Sequence, residues 1–338
     1  MDIQLFKDIL SIDSTSSKEG ELALYLTQRL KTEHNDVELM PIGNGTYNLL
    51  FTWGRPEIMF CTHMDTVPPY IPPVFNGNRV DGRGTCDAKG QIMALYGACQ
   101  ALEKNHETGF GLLLLAGEET SSIGAKHFRK NHEGCEYLIV GEPTDCMTAS
   151  AAKGTKFFHL TVSGQSCHSG YPQNGRSAVN IFLDFMDSFR RLSFPADLTL
   201  GDTTWNIGNL VSQNPKNILS DQLECDIYFR TTFSTDDIVE EQINKLIAGN
   251  TEWKTTIRLN AYGGDTPTRF LTFEGIPSQP VAFGSDAPQL TNFKNKILCG
   301  PGSILVAHTP KEYVLLSDIE KATQIYLEMY NRIKKQIT

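Results

Sequence analysis

Apolar residues in the first half of the chain form short continuous runs that alternate with segments of helical character. The runs EIMFCTH, GFGLLLLAGEE and EYLIVGEP are typical of buried strands, because they are short and apolar on both faces. The segment SSKEGELALYLTQRLKTE has leucines at helical spacing, and KGQIMALYGACQALEKN is a predicted helix rich in small residues. Strands that alternate with helices in this way indicate an α/β fold with a mostly parallel sheet covered by helices.

The pattern changes after Ser150. Four later segments alternate apolar and polar residues as half-buried strands do: KFFHLTVSG, TTWNIGNLV, LECDIYFRTTF and KTTIRLN. Amphipathic helices are predicted between them, around residues 177–192 and 235–246. The order strand-helix-strand-strand-helix-strand is that of a ferredoxin-like α+β domain.

These two patterns predict two domains. A chain of 338 residues also exceeds the size at which a single hydrophobic core usually stops growing. The Gly/Pro/Thr-rich segment AYGGDTPTR closes the alternating region, after which helix and strand patterns resume. We therefore predict an α/β domain formed by residues 1–152 and 266–338, interrupted by an inserted α+β domain of residues 153–265.

Charge and composition narrow the classes of partner. The net charge is −9 and there is no long Lys/Arg run, which argues against a nucleic-acid partner. No apolar stretch approaches the length of a membrane span, and the segment MDIQLFKDIL lacks the features of a signal peptide. The eight cysteines stand singly, without a CxxC pair, so reduced thiols are expected. We therefore expect a cytoplasmic protein that binds neither nucleic acid nor membrane.

Polar side chains that could bind a metal ion stand where the apolar runs and Gly-rich turns end. In an open α/β sheet, binding sites form outside the carboxyl ends of the strands. The residues in question are His63, Asp65, Asp87, Glu118, Glu119, Glu142 and His308. His63 and Asp65 are two positions apart in a strand, so the carboxylate can hold one ring nitrogen and leave the other for a metal. Two histidines and several carboxylates suit zinc or a similar divalent ion.

Each of these residues alone has an ordinary explanation. A histidine near a strand end is more often hydrogen-bonded or on the surface than a metal ligand. The sequence contains no dinucleotide-binding or phosphate-binding glycine motif and no GxSxG elbow. Cys167 and His168 do not form a nucleophilic pair in an extended strand, because adjacent side chains point apart. The recurrence of acidic or histidine residues after four separate elements favours the metal site.

The motifs also resemble those of a known family. The stretches THMDTVP, GRGTCDAKG, AGEET, VGEPT, CHSGYP and GPGSILVAHTPKEYV resemble, in order and over the whole chain, the motifs of the di-zinc amidohydrolases and metallopeptidases. That family includes acetylornithine deacetylase, succinyl-diaminopimelate desuccinylase, aminoacylase and carboxypeptidase G. The resemblance implies a catalytic α/β domain interrupted by a ferredoxin-like lid domain through which the chain forms a homodimer.

The resemblance implies the ligands of two zinc ions, for which cobalt or manganese could substitute. His63 and Glu142 would bind one ion. Glu119 and His308 would bind the other, and Asp87 would bridge both. The peptide bond that follows Asp87 would be cis.

The resemblance also implies the residues that carry out the reaction. Asp65 would orient the metal-binding histidine of the same strand, and Glu118 would be the general base. His168, in the lid, would stabilise the tetrahedral intermediate, in its own site or in that of the partner subunit. Asn217 and Arg230 would bind the substrate. A metal-activated water with a carboxylate base is a chemically sound means of cleaving an amide at neutral pH.

The sequences of the motifs are most similar to those of the acetylornithine deacetylase branch of this family. We therefore predict hydrolysis of the amide bond of an Nα-acylated amino acid, namely N-acetylornithine, N-acetylcitrulline or N-succinylornithine, in arginine biosynthesis. The alternatives within the family are a succinyl-diaminopimelate desuccinylase, a hydrolase of carrier-protein-linked lysine or ornithine, and a small dipeptidase. A metal-free binding or scaffold protein with the same fold is the alternative from another class.

Overall fold

The computed structural model describes residues 1–337, which divide into two compact units. Unit 1 consists of Met1–Ser150, Phe270–Gln279 and the C-terminal segment that begins at Ser285, and unit 2 consists of Ala151–Arg269 and Pro280–Gly284. Within the described residues, no helix is long and apolar enough to cross a membrane.

Unit 2 extends beyond the predicted insert of residues 153–265 in two places. Its main segment begins before residue 153 and ends after residue 265, because Ala151 pairs with Arg269 in an antiparallel ladder. The segment Pro280–Gly284 also belongs to unit 2, because the N–H of Lys153 donates to a carbonyl oxygen within this segment at 3.1 Å. Neither pairing could be predicted from local sequence patterns, since both join residues more than a hundred positions apart.

Helices and strands alternate along most of the chain. The helices are α1 (Ile3–Ser11), α2 (Gly20–Arg29), α3 (Lys89–Lys104), α4 (Glu118–Ser121), α5 (Ile123–Asn131), α6 (Ala178–Phe189), α7 (Val239–Ala248), α8 (Trp253–Thr256) and α9 (Leu316–Ile337). The strands are β1 (Asp36–Gly43), β2 (Thr46–Trp53), β3 (Ile58–His63), β4 (Val74–Asn76), β5 (Arg79–Asp81), β6 (Phe110–Leu115), β7 (Tyr137–Val140), β8 (Thr148–Ala152), β9 (Gly154–Ser163), β10 (Thr204–Val211), β11 (Gln222–Thr231), β12 (Ile257–Gly263), β13 (Thr268–Arg269), β14 (Ser278–Val281), β15 (Asn295–Leu298) and β16 (Tyr313–Leu315).

A mixed six-stranded sheet in the order β1-β2-β6-β3-β7-β15 forms the centre of unit 1. Strands β6, β3, β7 and β15 are parallel to one another. Strands β1 and β2 lie at one edge of the sheet, and β2 is antiparallel to both of its neighbours, β1 and β6. The predicted α/β class is confirmed. The edge hairpin was not predicted, because β1 is largely exposed and carries no clear apolar run.

Helix α9 illustrates how the helices pack on this sheet. Its buried residues Tyr326 and Tyr330 are one helical turn apart and therefore lie on the same face. Tyr326 makes an edge contact with Phe60 at 6.3 Å between ring centroids, and Tyr330 makes one with Phe110 at 5.9 Å. Phe60 and Phe110 lie on adjacent parallel strands, so this one helix packs across both strands whose ends carry candidate ligands.

Unit 2 has the predicted ferredoxin-like order of elements. Its antiparallel sheet has the order β10-β11-β9-β12, with α6 following β9 and α7 following β11. One face of the sheet is buried against the helices, as the strict alternation of buried and partly buried residues along β11 shows. Phe158 and Phe229 of this face meet edge to face at 5.9 Å.

Candidate active site

The candidate ligands of unit 1 lie at the carboxyl edge of its parallel strands. His63 is the last residue of β3, and Glu142 lies just after β7, which pairs with β3 in parallel. Glu118 and Glu119 begin α4, just after β6. Gly117 makes this sharp turn with φ 66°, and a Cβ there would come within 2.5 Å of Ile123. The turn therefore needs glycine, and it places both glutamates at the strand end.

Ligand atoms of these residues form three groups in which all atoms lie within 4.8 Å of one another. The groups are His63 with Asp87 and Glu142, Asp87 with Glu119 and His308, and His63 with Glu118 and Glu119. The first two groups share Asp87 and together contain all five residues predicted as ligands. The structure thus brings together two adjacent donor sets, of the composition that zinc and similar divalent ions accept.

Asp87 directs its two carboxylate oxygens toward different histidines. Its Oδ1 lies 2.9 Å from Nε2 of His63, and its Oδ2 lies 3.3 Å from Nε2 of His308. His308 Nε2 also lies 2.9 Å from Oε1 of Glu119. The peptide between Asp87 and Ala88 is cis, as the resemblance implied. This carboxylate therefore has the geometry of a group shared between two binding positions.

The backbone of His308 is in the left-handed region, with φ 62°. Few residues other than glycine adopt this conformation, and where they do, a functional role is a common reason. His308 follows the turn GPGS and precedes the segment that runs on to β16. The strained conformation directs its ring toward the carboxylates of the group.

The charges of this cluster are unbalanced without a cation. Burial raises the pKa of Glu118 and Glu142 well above the usual range; His63 partly opposes this, and neighbouring carboxylates add to it. Hydrogen bonds to Asp87 and to a second carboxylate raise the pKa of His308 to about 10. A divalent cation would reverse both shifts, because its charge favours ionised carboxylates and neutral imidazoles. The residues present therefore fit a pair of divalent metal ions.

Asp65 is fully buried and connects the two halves of the cluster. Its Oδ1 accepts the N–H of Glu118 at 3.0 Å, and its Oδ2 accepts the N–H of Glu119 at 3.2 Å. The hydroxyl of Ser16 donates to Oδ2 at 2.8 Å. His63 Nδ1 lies 2.9 Å from the carbonyl oxygen of Asp65 and 3.4 Å from its Oδ1. His63 Nδ1 thus contacts Asp65 mainly through the backbone carbonyl oxygen, whereas the prediction was a contact with the carboxylate. The carboxylate instead holds the backbone of the Glu118–Glu119 pair.

Sequence reasoning missed several charged residues that are buried near the ligands. Asp286, in the segment GSDAP, is 2% exposed, and its charge raises the pKa of both Glu118 and Glu142. Arg83 and Glu312 form a buried ion pair next to the loop that carries Asp87. The only available signal was their position close to the motifs, because nothing in a local pattern distinguishes a buried charge from a solvated one.

The residues predicted for unit 2 lie at the two ends of its sheet. His168 is exposed and follows β9; its Nδ1 accepts the N–H of Gly170 at 3.1 Å, which leaves the proton of a neutral ring on Nε2. Asn217 is adjacent, because its carbonyl oxygen accepts the N–H of Ser169 at 2.9 Å. Arg230 lies near the opposite end of β11, where its guanidinium stacks 4.7 Å above the ring of Tyr228. The structure thus brings His168 and Asn217 together and separates both from Arg230.

The two donor sets at the end of an α/β sheet, with an adjacent glutamate, define a hydrolase of the metallopeptidase type. The model of peptidase family M20/M25/M40 matches residues 59–332, and the chain belongs to this family. It is therefore a hydrolase that acts on amide bonds. The resemblance deduced from the motifs is confirmed at this level.

Comparison with individual proteins gives the same result. The chain is 31% identical to a probable carboxypeptidase of Aspergillus clavatus, over 96% of this chain and 86% of that protein. Its fold is similar to that of a Staphylococcus aureus tripeptidase, with a TM-score of 0.82 and 19% identity over 96% of this chain and 95% of the other. It is also similar to a dinuclear metal-binding M20 peptidase of Bacillus subtilis, with a TM-score of 0.72 and 11% identity over 96% and 95% of the two chains. The predicted closeness to acetylornithine deacetylase is not supported by these relatives.

Proposed function

We propose that this chain uses two divalent metal ions to hydrolyse the amide bond that precedes a free α-carboxylate, as a carboxypeptidase of short peptides does. The observation that carries the proposal is the pair of donor sets that share Asp87. The name of the Aspergillus clavatus relative, a probable carboxypeptidase, favours a peptide over an acylated ornithine. An Nα-acyl amino acid has the same arrangement of amide and carboxylate, so the earlier prediction of N-acetylornithine belongs in the same test.

The residues of the two donor sets would hold the metal ions. His63 and Glu142 would bind one ion, Glu119 and His308 the other, and Asp87 both. When bound, two such ions polarise the scissile carbonyl group and lower the pKa of a water molecule. Zinc is the ion we propose, with cobalt or manganese as substitutes, because imidazole with carboxylate is a ligand set that all three accept.

Glu118 would transfer the protons of the reaction. It belongs to neither of the Asp87-containing groups, so its carboxylate remains available to accept a proton from the attacking water. The same group would then give that proton to the leaving amine. Its backbone N–H is held by Asp65, which limits its movement between the two steps.

The polar residues of unit 2 would bind the substrate. Nε2–H of His168 could donate to the oxygen on which negative charge develops, an interaction that stabilises the transition state. Arg230 is the natural partner of the free α-carboxylate, because a guanidinium binds a carboxylate through two parallel hydrogen bonds. Asn217, next to His168, would supply a further hydrogen bond.

The positions of these three residues support a homodimer. Between Gln222, near Asn217 in the chain, and Arg230 the strand β11 runs for eight residue steps, or about 27 Å at about 3.4 Å per residue. A dipeptide-sized ligand does not span this distance, so we propose that in a homodimer His168 and Asn217 serve one site and Arg230 the other. The edge strand β10, with exposed Leu210 and Val211, offers unpaired backbone groups for such an interface.

The test is a substrate screen combined with a metal assay. We expect about two metal ions per chain and turnover of dipeptides and tripeptides with a free C-terminus, whereas the same peptides with an amidated C-terminus should be poor substrates. The screen includes N-acetylornithine, N-acetylcitrulline, N-succinylornithine, N-succinyl-diaminopimelate and carrier-protein-linked lysine. Equal cleavage of amidated peptides would contradict recognition of the carboxylate. Absence of both metal and turnover would favour the scaffold hypothesis.

A further inference from the structure

Glu312 lies in the interior of unit 1, four positions after His308, and is 1% exposed. One of its carboxylate oxygens, Oε1, accepts two backbone N–H groups in succession, those of Cys86 and Asp87, each at 3.1 Å. The other oxygen, Oε2, pairs with the guanidinium of Arg83. A single carboxylate therefore holds the backbone at the residue that faces both histidines.

Arg83 is 2% exposed, and its guanidinium has hydrogen-bond partners besides Glu312. Its Nη1 also approaches the carbonyl oxygen of Thr309 at 3.4 Å, and its Nε approaches that of Pro69 at 3.4 Å. In addition, the carbonyl oxygen of Glu312 accepts the N–H of Gly82 at 3.0 Å. The loop that carries Asp87 and the segment that follows His308 are thus joined by both side-chain and backbone hydrogen bonds.

Burying the charges of Glu312 and Arg83 carries an energetic cost that packing alone does not explain. Removing two charges from water carries a large desolvation penalty, and a well-packed apolar pair is often as stable as a buried ion pair. Hydrogen bonds to an ionised carboxylate are, however, stronger than those between neutral groups, and two from successive backbone amides fix direction. The Glu312 carboxylate, paired with Arg83, therefore fixes the orientation of the peptide groups on either side of Cys86.

We propose that Glu312 is a positioning residue that sets the carboxylate of Asp87 between the two metal positions, with Arg83 as its counter-ion. The inference rests on the proposed function, since it assumes that Asp87 binds both ions. Because His308 lies in the same tethered segment, the contact also sets the distance between Asp87 and that histidine. Asp65 holds the backbone of Glu118 and Glu119 in the same manner, so two of the ligand-bearing loops are each held by a buried carboxylate.

The variant Glu312→Gln tests this role, because it keeps the size of the side chain and removes its charge. Whichever way the amide is turned, its NH2 group must face either Arg83 or the two backbone N–H groups, which are all donors. We expect the affinity of the metal-free enzyme for zinc to fall by about tenfold or more, the usual effect of losing a partner that orients a metal ligand. Calorimetric titration of the metal-free protein with zinc measures this directly.

Loss of stability is the rival explanation, and a matched control separates the two. Ile333 is fully buried in helix α9, so Ile333→Ala lowers the thermal unfolding midpoint without touching the loops. We expect Ile333→Ala to bind zinc within about twofold of the wild type, and Glu312→Gln to show the loss of affinity even where the two midpoints are similar. Equal losses in both variants, or unchanged affinity in Glu312→Gln, would overturn the proposal.

A second variant covers the case in which Glu312→Gln does not fold. Glu312→Asp keeps the charge and the ion pair with Arg83 but is too short to reach both N–H groups. We expect it to fold and to bind zinc several-fold more weakly, with kcat reduced at saturating zinc and KM unchanged. Wild-type affinity and kcat in this variant would refute the role of Glu312. Failure of the wild type itself to bind two ions would instead contradict the proposed function.

Discussion

The candidate residues of unit 1 and those of unit 2 are positioned in opposite ways. In unit 1 they lie at strand ends and in the loops beside them, mostly buried, and two of these loops are held by a carboxylate that accepts backbone N–H groups. In unit 2, His168 and Asn217 are exposed and Arg230 is partly so, and they lie at opposite ends of a sheet. Rigid strand ends suit groups that must share an ion within tenths of an ångström, whereas exposed loops suit groups that meet a substrate only when it binds.

The largest effect is expected at Glu118, the proposed proton-transfer residue of unit 1. Glu118→Gln should lower turnover by about a hundredfold to ten-thousandfold, because general acid-base catalysis contributes about that much. Its metal content should stay near that of the wild type, since Glu118 is not a proposed ligand. Metal analysis and turnover of the same preparation measure both quantities.

Glu119→Gln is the matched control, because it changes the adjacent residue in the same way. We expect it to lose much of one metal ion. If Glu118→Gln lost metal and Glu119→Gln kept it, the two glutamates would have the opposite roles.

The next effect concerns the exposed histidine of unit 2. His168→Ala should lower turnover by about a hundredfold, the usual consequence of losing a donor to the developing oxyanion. His159→Ala, which removes a histidine paired with Asp226 on the same sheet, should keep most of the activity. A fully active His168→Ala would mean that this residue has no part in the reaction.

Mixed dimers sharpen the comparison between the two units. If His168 serves the partner's site, His168→Ala and Glu118→Ala should restore activity when they are mixed, because one of the two sites then has both groups intact. Turnover after confirmed subunit exchange measures this. Absence of any recovery would place His168 in the site of its own chain.

A smaller effect is expected at Arg230. Arg230→Ala should cost about 2 kcal/mol, or about thirtyfold in kcat/KM, because a charged hydrogen-bonding partner of the substrate is lost. Most of the change should be in KM for peptides with a free carboxylate. Arg258→Ala, at an exposed position on β12, serves as the control. An equal loss for amidated and free peptides would show that Arg230 does not read the carboxylate.

Only part of the fold and of the candidate site could be predicted from the sequence. The α/β and ferredoxin-like patterns could be predicted because the period of apolar residues depends only on neighbouring positions. Candidate ligand positions could be recognised because the carboxyl ends of parallel strands meet at one edge, so residues far apart in sequence converge there. The assignment of five of them as ligands of two ions came from the resemblance of the motifs to a known family. The edge strand β1 could not be predicted, since it is largely exposed and has little apolar pattern.

Residues that act through tertiary contacts could not be found in this way. Glu312 is one of two adjacent charged residues in the segment TPKEYV, and nothing local marks it as buried. It nevertheless accepts two backbone N–H groups of a loop far away in sequence. The separation of Arg230 from His168 likewise depends on the register of β11 with β9, which no local pattern gives. Such contacts require the three-dimensional arrangement of the chain.

The smallest effect is expected at three cysteines that lie close in sequence to proposed site residues. Cys61, Cys86 and Cys167 belong to none of the groups of potential ligand atoms, and the first two are buried. Because cysteine is often a small apolar filler, alanine at all three should leave the metal content unchanged and most of the activity intact. Metal analysis of the triple variant is the measurement, and the single variant Cys225→Ala, buried in unit 2, controls for the loss of packing. A large loss of metal in the triple variant alone would mean that a thiolate is a ligand. The proposed division between a carboxylate-histidine site in unit 1 and substrate-binding residues in unit 2 would then need revision.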